Sequence, residues 1–427
     1  MSLLYAPIEL KGNDIQLAML IDGKLPYTNA DSLAYPRLYR DQVDPEKETD
    51  GRFEIDSQGN EVRPDAVETF EWQNYETIDS KGAYNGPLQF YLEKGTHTIT
   101  FEMQMEAFAL AEIQFYPSVD TPSYADKMAE WEAQGAKDSS GYYQKYEAEL
   151  MDSKSSNLLY PTYDKGSVSM SPSNPYATLY NTVGKDTWDT VGQEITWKIS
   201  VPEDGYYYLS FKVRQNVKRG MYSTRELYID GEIPYDSLGN IQFPFKDGWY
   251  MQTLEDENEE PLKVYLTAGE HTMTLRSVTG DVSDVLRRVE EAVAELNQWY
   301  RQIIMITGSN ADSNRVTIDT NRDFLLDKKI PGLMKGFEDI AASLQTALDE
   351  IKELSDSNGT AASLLSEMIA MLKKLIKRPD TIAKRLESYR GNVSSLATWV
   401  LDQREQPLEM DYFVVYSPDQ KEPSAGT

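Results

Sequence analysis

The spacing of apolar residues changes once along this chain. Up to about residue 280 apolar and polar positions alternate with a period of two, and from there to about residue 405 the period is 3.6. In the first region the clearest strand is Glu194 to Val201, whose alternation puts Ile195, Trp197, Ile199 and Val201 on one face and makes Trp197 a core residue. The turn Pro202-Glu203-Asp204-Gly205 and a further strand, Tyr206 to Val213, follow. In the second region four sets of residues recur at helical spacing: Val285, Val289, Val293, Leu296 and Ile303; Leu333, Phe337, Ile340, Leu344, Leu348 and Ile351; Leu364, Met368, Met371 and Leu375; and Ile382, Leu386, Val393, Leu396 and Val400. They predict amphipathic helices over roughly 282–306, 330–354, 360–377 and 380–404, broken by Ser355 to Gly359 and by Pro379, and packed as an antiparallel bundle. A last strand runs from Leu408 to Ser417.

The strand region says one phrase twice. Leu20-Ile21-Asp22-Gly23-Lys24-Leu25-Pro26-Tyr27 returns as Tyr228-Ile229-Asp230-Gly231-Glu232-Ile233-Pro234-Tyr235, and Gly95-Thr96-His97-Thr98 returns as Gly269-Glu270-His271-Thr272. Each reads as a hairpin closed by Asp-Gly and a second by a short Gly-containing turn. Ala107 to Pro117 closes the first copy as Leu408 to Pro418 closes the second, so the helices are an insertion in the second copy. The second copy also has a long run-up, Glu147 through Tyr208, which the first lacks, so the sequence opens inside the first copy and an unpaired sheet edge is expected there. Arg37 to Trp72 is a long polar stretch, and Tyr124 to Gln134 a short helix ending at Gly135. The predicted organisation is a first sandwich, incomplete at its N-terminus, over 1–117; a linker with a short helix over 118–144; a second sandwich over 145–280 plus 406–420; and the bundle over 281–405.

Composition narrows the chemistry. A formal net charge of −28 repels nucleic acid and anionic lipid. With no cysteine there is no thiolate chemistry, and no apolar run reaches the roughly 18 residues of a membrane span. The only two histidines, His97 and His271, hold the same slot of the repeat, which argues for a turn role and against catalytic triads. There is no Gly-rich phosphate loop and no nucleophile elbow, and with 70 acidic residues carboxylate pairs carry no weight as a glycosidase signature.

Tyr146-Glu147-Ala148-Glu149, Gly192-Gln193-Glu194-Ile195-Thr196-Trp197, Val201 to Tyr207, Ile229-Asp230-Gly231 and Gly269 to Thr272 resemble the strand signatures of family 6 and family 35 carbohydrate-binding modules. The resemblance implies two jelly-roll β-sandwiches of the galactose-binding-like type. With the helical insertion and Gln406 to Tyr412, the chain also resembles the region preceding the ligand-binding lobes of some extracellular solute-binding lipoproteins of Gram-positive sugar ABC importers, although no two-lobed solute-binding domain follows Pro418. That implies a non-catalytic, cell-surface region with an oligo- or polysaccharide and the importer's membrane components as partners.

Sugar recognition needs aromatic faces and nearby hydrogen-bonding groups. The 28 Tyr and 7 Trp supply the first. In the second copy the candidate contacts are Trp188, Trp249 and Tyr250, with Tyr176 and Tyr222, and with Asn216 and Arg214 as polar partners; Tyr180, Asn174 and Arg225 stand nearby in sequence. The competing reading is that these rings pack against the bundle or cap the core. By the resemblance Glu147 and Glu149 match an acidic pair that helps hold a structural calcium ion. Asp319-Thr320-Asn321-Arg322-Asp323 copies the start of a calcium loop but has Phe324 and Ile330 where the glycine and glutamate belong, and reads as an ordinary polar loop. Two rivals remain: a docking region whose bundle binds a protein, recognisable by an apolar stripe left exposed on the helices, and an accessory module of a glycoside hydrolase.

Overall fold

The alternation of Glu194–Val201 holds in three dimensions: Ile195, Trp197, Ile199 and Val201 are buried while the residues between them face outward or are half-covered. Each such side chain contributes about 1.5–3 kcal/mol by leaving water. The computed structural model describes residues 1–9, 12–44, 46–47, 51–308, 322–354 and 359–426. Asp319 to Asn321 of the calcium-loop-like stretch, and residues 355–358 of the expected helix break, lie outside them. The chain forms two units, Met1–Gly280 with Gln406–Thr427, and Asp281–Glu405.

The first copy contributes β1 (Ser2–Pro7), β2 (Ile15–Ile21), β3 (Leu33–Tyr35), β4 (Tyr39–Gln42), β5 (Asp65–Glu68), β6 (Gln73–Glu76), β7 (Ile99–Met105) and β8 (Phe108–Gln114). After helix α1 (Tyr124–Ala133) come β9 (Tyr143–Glu147), β10 (Ser153–Lys154), β11 (Pro161–Thr162), β12 (Thr182–Lys185), β13 (Glu194–Val201), β14 (Gly205–Arg214), β15 (Tyr222–Ile229), β16 (Ile241–Pro244), β17 (Tyr250–Thr253), β18 (Val264–Leu266) and β19 (Gly269–Val278). Beyond the helical unit β20 (Leu408–Tyr416) completes the second copy.

The second sandwich faces a sheet ordered β16-β15-β19-β13-β10-β4-β5 with one ordered β11-β12-β20-β14-β17, to which β9 adds on β20 and β18 on β14. Trp188, Trp197, Leu209, Phe211, Leu227, Leu275, Met410 and Phe413 fill the space between. The first copy is smaller: β6-β1-β8 and β3-β2-β7 enclose Leu3, Tyr5, Ile15, Leu17, Met19, Tyr35 and Tyr75. Among the described strands β7 pairs only with β2 and β8 only with β1, whereas β19 also pairs with β13 and β20 with β9 and β12. Met103, Met105, Leu110 and Ile113 are exposed along those open edges. In both sheets of the first copy, then, an edge is open whose counterpart in the second copy is covered.

The polar stretch after Arg37 is polar because it makes the joint between the copies. Strand β4 extends the second copy's sheet by pairing Tyr39 with Lys154, and Arg40 reaches Asp152 at 2.6 Å and Glu71 at 3.0 Å. Both Asp-Gly turns take φ > 0 at both positions, 51° and 75° at Asp22-Gly23, 52° and 84° at Asp230-Gly231, as a two-residue hairpin requires. Helix α1 starts at Ser123, whose Oγ accepts the Asp126 N–H, and lays Tyr124 and Trp131 edge-on against Tyr235.

In the helical unit α2 (Val282–Thr307), α3 (Leu326–Lys329), α4 (Leu333–Leu354), α5 (Thr360–Lys377) and α6 (Leu386–Arg404) follow in order, the four long helices packing in the cycle α2-α4-α5-α6-α2. The expected apolar sets of α2, α4 and α6 are buried. On α5 the buried stripe is Leu365, Met368, Ile369, Leu372 and Leu375, while Leu364 and Met371, expected inside, sit at its margins. The i, i+3, i+4, i+7 stripe is centred one residue later than the sparser set suggested. A Cβ on Gly336 of α4 would come within 2.6 Å of the Trp299 ring on α2, so the absence of a side chain sets that approach. Among the described residues of this unit the exposed large apolar side chains are Met305, Leu325 and Leu401, never two on one helix, and they form no stripe.

Candidate ligand site on the second sandwich

Asp164 organises the loop end of the second copy. Its Oδ1 accepts the Gly166 N–H at 2.6 Å, and its own N–H donates to Asn181 Oδ1 at 2.8 Å, fixing the turn after β11. That aims Oδ2 at two partners from elsewhere: the Trp249 indole N–H at 3.0 Å and the Arg214 guanidinium at 2.9 Å. Arg214, at the end of β14, lies 4.6 Å from the centroid of the Trp249 ring and also donates to Glu409 Oε2 of β20 at 2.6 Å. Partial burial works against the Asp164 charge, but the Gly166 N–H, the indole and Arg214 outweigh it and hold the carboxyl below the usual carboxylate range. Burial pushes Glu409 up, with Arg214 opposing. Tyr163, next to Asp164 in the chain, is exposed, and so is Tyr176 further along the same loop, on a turn where Asn174 Oδ1 accepts the Tyr176 N–H. The result is a half-buried indole braced by an arginine that two carboxylates hold. Such a group can stack on a C–H face and exchange hydrogen bonds with hydroxyls.

Of the residues singled out from sequence, Trp249 and Arg214 meet here and Tyr176 is exposed on a loop of the same copy. Asn216 is exposed in the β14–β15 loop, whose turn Gln215 holds by accepting the Val217 and Lys218 N–H groups. Three expectations change. Trp188 has no exposed surface: it packs on Trp197, and the buried Arg225 guanidinium covers it at 4.3 Å, so no ring face is left for a sugar. Tyr250 begins β17, buried, with its hydroxyl on the Pro244 carbonyl. Tyr222 begins β15 and is buried too. Asp164 and Glu409 were missed; the spacing Asp164-Lys165-Gly166, a carboxylate two residues before a glycine, was the signal for the first.

The expected metal pair lies elsewhere, on the outer face of the β14/β20 sheet beneath the loop 163–181. Glu147 Oε2, both Glu149 carboxylate oxygens and Asp411 Oδ2 are buried. Positive charge is what such oxygens need, and side chains bring it. Lys212, itself fully buried, lies 2.8 Å from Asp411; Arg52 lies 2.9 Å from Glu149; Lys145 lies 2.7 Å from Glu147. Burial drives the Asp411 carboxyl up to about 6 against the pull of Lys212, and raises Glu149 against Arg52. Among the described residues no group of three or more acidic or histidine side chains is arranged to hold a metal ion. Side-chain cations thus stand where a divalent ion would have to come to neutralise these carboxylates.

Both histidines are scaffold. In each copy Nδ1 faces the Asp of the Asp-Gly turn, His97 to Asp22 at 2.7 Å and His271 to Asp230 at 2.6 Å, and Nε2 faces a backbone carbonyl, of Glu93 or Thr267, at 2.7 Å. Two acceptors require two N–H donors, so the imidazolium form fits. The Asp22 carboxylate raises the pKa of His97; at His271 burial opposes, but Asp230 and the Thr267 carbonyl win and raise it as well.

Over 90 residues the chain is 33% identical to the cycloisomaltooligosaccharide glucanotransferase of Niallia circulans; the match takes in 21% of this chain and only 8% of that protein's length. Solved structures with similarity include a family 35 carbohydrate-binding module from Clostridium thermocellum (TM-score 0.24, 13% identity, 32% of this chain and 88% of the module). Others are a family 6 module of a laminarinase from Zobellia galactanivorans (0.23, 19%, 33% and 91%) and a Paenibacillus cycloisomaltooligosaccharide glucanotransferase with cycloisomaltoheptaose (0.24, 23%, 37% and 22%). Residues 284–402 match the family model of the bacterial solute-binding protein 4-helix bundle domain, so the helical unit is similar to a part of solute-binding proteins.

Proposed function

We propose that this chain is a non-catalytic carbohydrate-recognition region, working outside the cytoplasm in sugar uptake by an ABC importer, and that its sugar site is the loop end of the second sandwich. The observation that carries the reading is the Trp249–Arg214–Asp164–Glu409 cluster, where an indole is held by its N–H and one face is backed by a guanidinium. The match of the helical unit to a solute-binding bundle supports the link to uptake. With two carboxylates around one arginine the cluster is acidic, so neutral sugars suit it and uronic acids do not. The test is calorimetric titration of the whole chain with neutral oligosaccharides, isomalto-oligosaccharides first because of the glucanotransferase relative, then laminari-, manno- and cello-oligosaccharides. Saturable binding that Trp249→Ala abolishes supports the site; flat titrations across that panel reject it.

A further inference from the structure

The buried carboxylates under the loop 163–181 hold that loop. Asp411 Oδ1 accepts the Ser171 N–H at 3.2 Å, Glu147 Oε1 accepts the Ser171 hydroxyl at 2.8 Å, and the Lys212 ammonium donates to the Ser169 carbonyl. The loop in turn carries Tyr163, Asp164 and Tyr176. On the other side lies an arm of the first copy, residues 52–63. Arg52 donates to the Tyr180 carbonyl at 2.6 Å and to Glu61 at 2.8 Å while facing Glu149. Glu61 then binds both sides of the strand entering β12, its N–H on the Thr178 carbonyl and its Oε2 on the Tyr180 N–H, and Asn60 Oδ1 accepts the Thr178 N–H. Phe53 packs edge-on against Tyr180 at 5.8 Å.

We infer that side-chain cations have taken the place of a metal ion here: Lys212 and Lys145 from within the second sandwich and Arg52 from the first together neutralise Asp411, Glu147 and Glu149, so that the 163–181 loop is held by contact with the first copy and not by calcium. A charge cluster of this kind cannot serve both. A divalent ion at Asp411 or Glu149 would have to displace an ammonium or a guanidinium already within 3 Å of it. The arrangement also gives the shortened first sandwich a role, as the carrier of Arg52. Arg52 is a positioning residue: it acts on the sugar site only through the 163–181 loop.

The readouts are metal response and amide exchange, so they stand or fall independently of sugar binding. The whole chain is unfolded in urea with millimolar calcium chloride and with excess EGTA, and titrated with terbium, whose luminescence neighbouring Tyr and Trp rings sensitise. Equal midpoints and no calcium-displaceable terbium signal are expected; a midpoint raised by calcium overturns the inference. In Lys212→Ala, Asp411 loses its cation, and calcium is expected to raise the midpoint. Arg52→Gln leaves the second sandwich's own residues intact and is expected to speed hydrogen exchange of the 163–181 amides more than tenfold without changing that of β1 and β2. Unchanged exchange in that loop overturns the role of Arg52.

Discussion

The two copies share a hairpin, a histidine lock and even a bulge, yet differ in what covers them. In both, register shifts at the same place, between Leu4 and Tyr5 of the first copy and Lys212 and Val213 of the second. Across the shift the residues that correspond to Lys212 and Asp411 are Leu4 and Ala111. The second copy buries this face under its 163–181 loop and fills it with an ion pair, both members fully buried; the first has no such loop, and Ala111 is exposed. Tyr235 is likewise sealed by α1, while its counterpart Tyr27 is half-exposed and stacks on Phe90 at 5.5 Å. One backbone framework thus supports a polar interior or none, depending on the connecting segments laid over it. Asp164, which holds the Trp249 indole and Arg214, belongs to those segments and not to the repeated hairpin.

The largest effect should come from breaking that ion pair. Asp411→Ala leaves Lys212 buried without its partner, and a loss of about 3–5 kcal/mol in urea unfolding is expected. The matching change Ala111→Asp, on the exposed face of the first copy, should stay within about 0.5 kcal/mol. Equal costs at both positions would remove the contrast.

A smaller effect should appear in both copies alike. The folded-state pKa values of His97 and His271 lie above the ordinary histidine value, so the stability these locks contribute is fully present below the unfolded value of about 6.5 and is lost as pH rises through the folded ones. The urea midpoint should therefore fall as pH is raised from about 6 toward 8, a slope that the double variant His97→Ala/His271→Ala flattens. A slope that survives the double variant must arise from other groups.

The smallest change in stability, and the clearest in association, is expected at the open edges of the first copy. Met103→Lys with Ile113→Lys should alter the unfolding free energy by less than about 0.5 kcal/mol and lower any self-association seen by sedimentation, since edge lysines block strand pairing. Association that persists unchanged would mean that these edges do not mediate it.

Much of this was legible in the sequence because period and repetition report burial directly. Ile195 to Val201 faced as their alternation required, and the repeat assigned both histidines to turns before any distance was known. The ligand cluster was half legible: Trp249 and Arg214 stood out as types, whereas Trp188, of the same type, is buried because Arg225 folds over it from β15, a contact 37 residues away that no local pattern encodes. The carboxylates Glu147 and Glu149 were visible as a pair. The Arg52 counter-ion of Glu149 and the Lys212–Asp411 pair beside it were not, since pairing across 97 and 199 residues is decided by the fold.

The central claim is that recognition belongs to the second copy alone. It is tested most directly by calorimetric titration of the intact chain, Trp249→Ala and Tyr91→Ala with the best ligand of the neutral panel, Tyr91 being the most exposed aromatic residue of the first copy. The expected result is affinity unchanged in Tyr91→Ala and weakened roughly tenfold or more in Trp249→Ala, the loss of one stacked ring. Binding retained in Trp249→Ala and lost in Tyr91→Ala would contradict it.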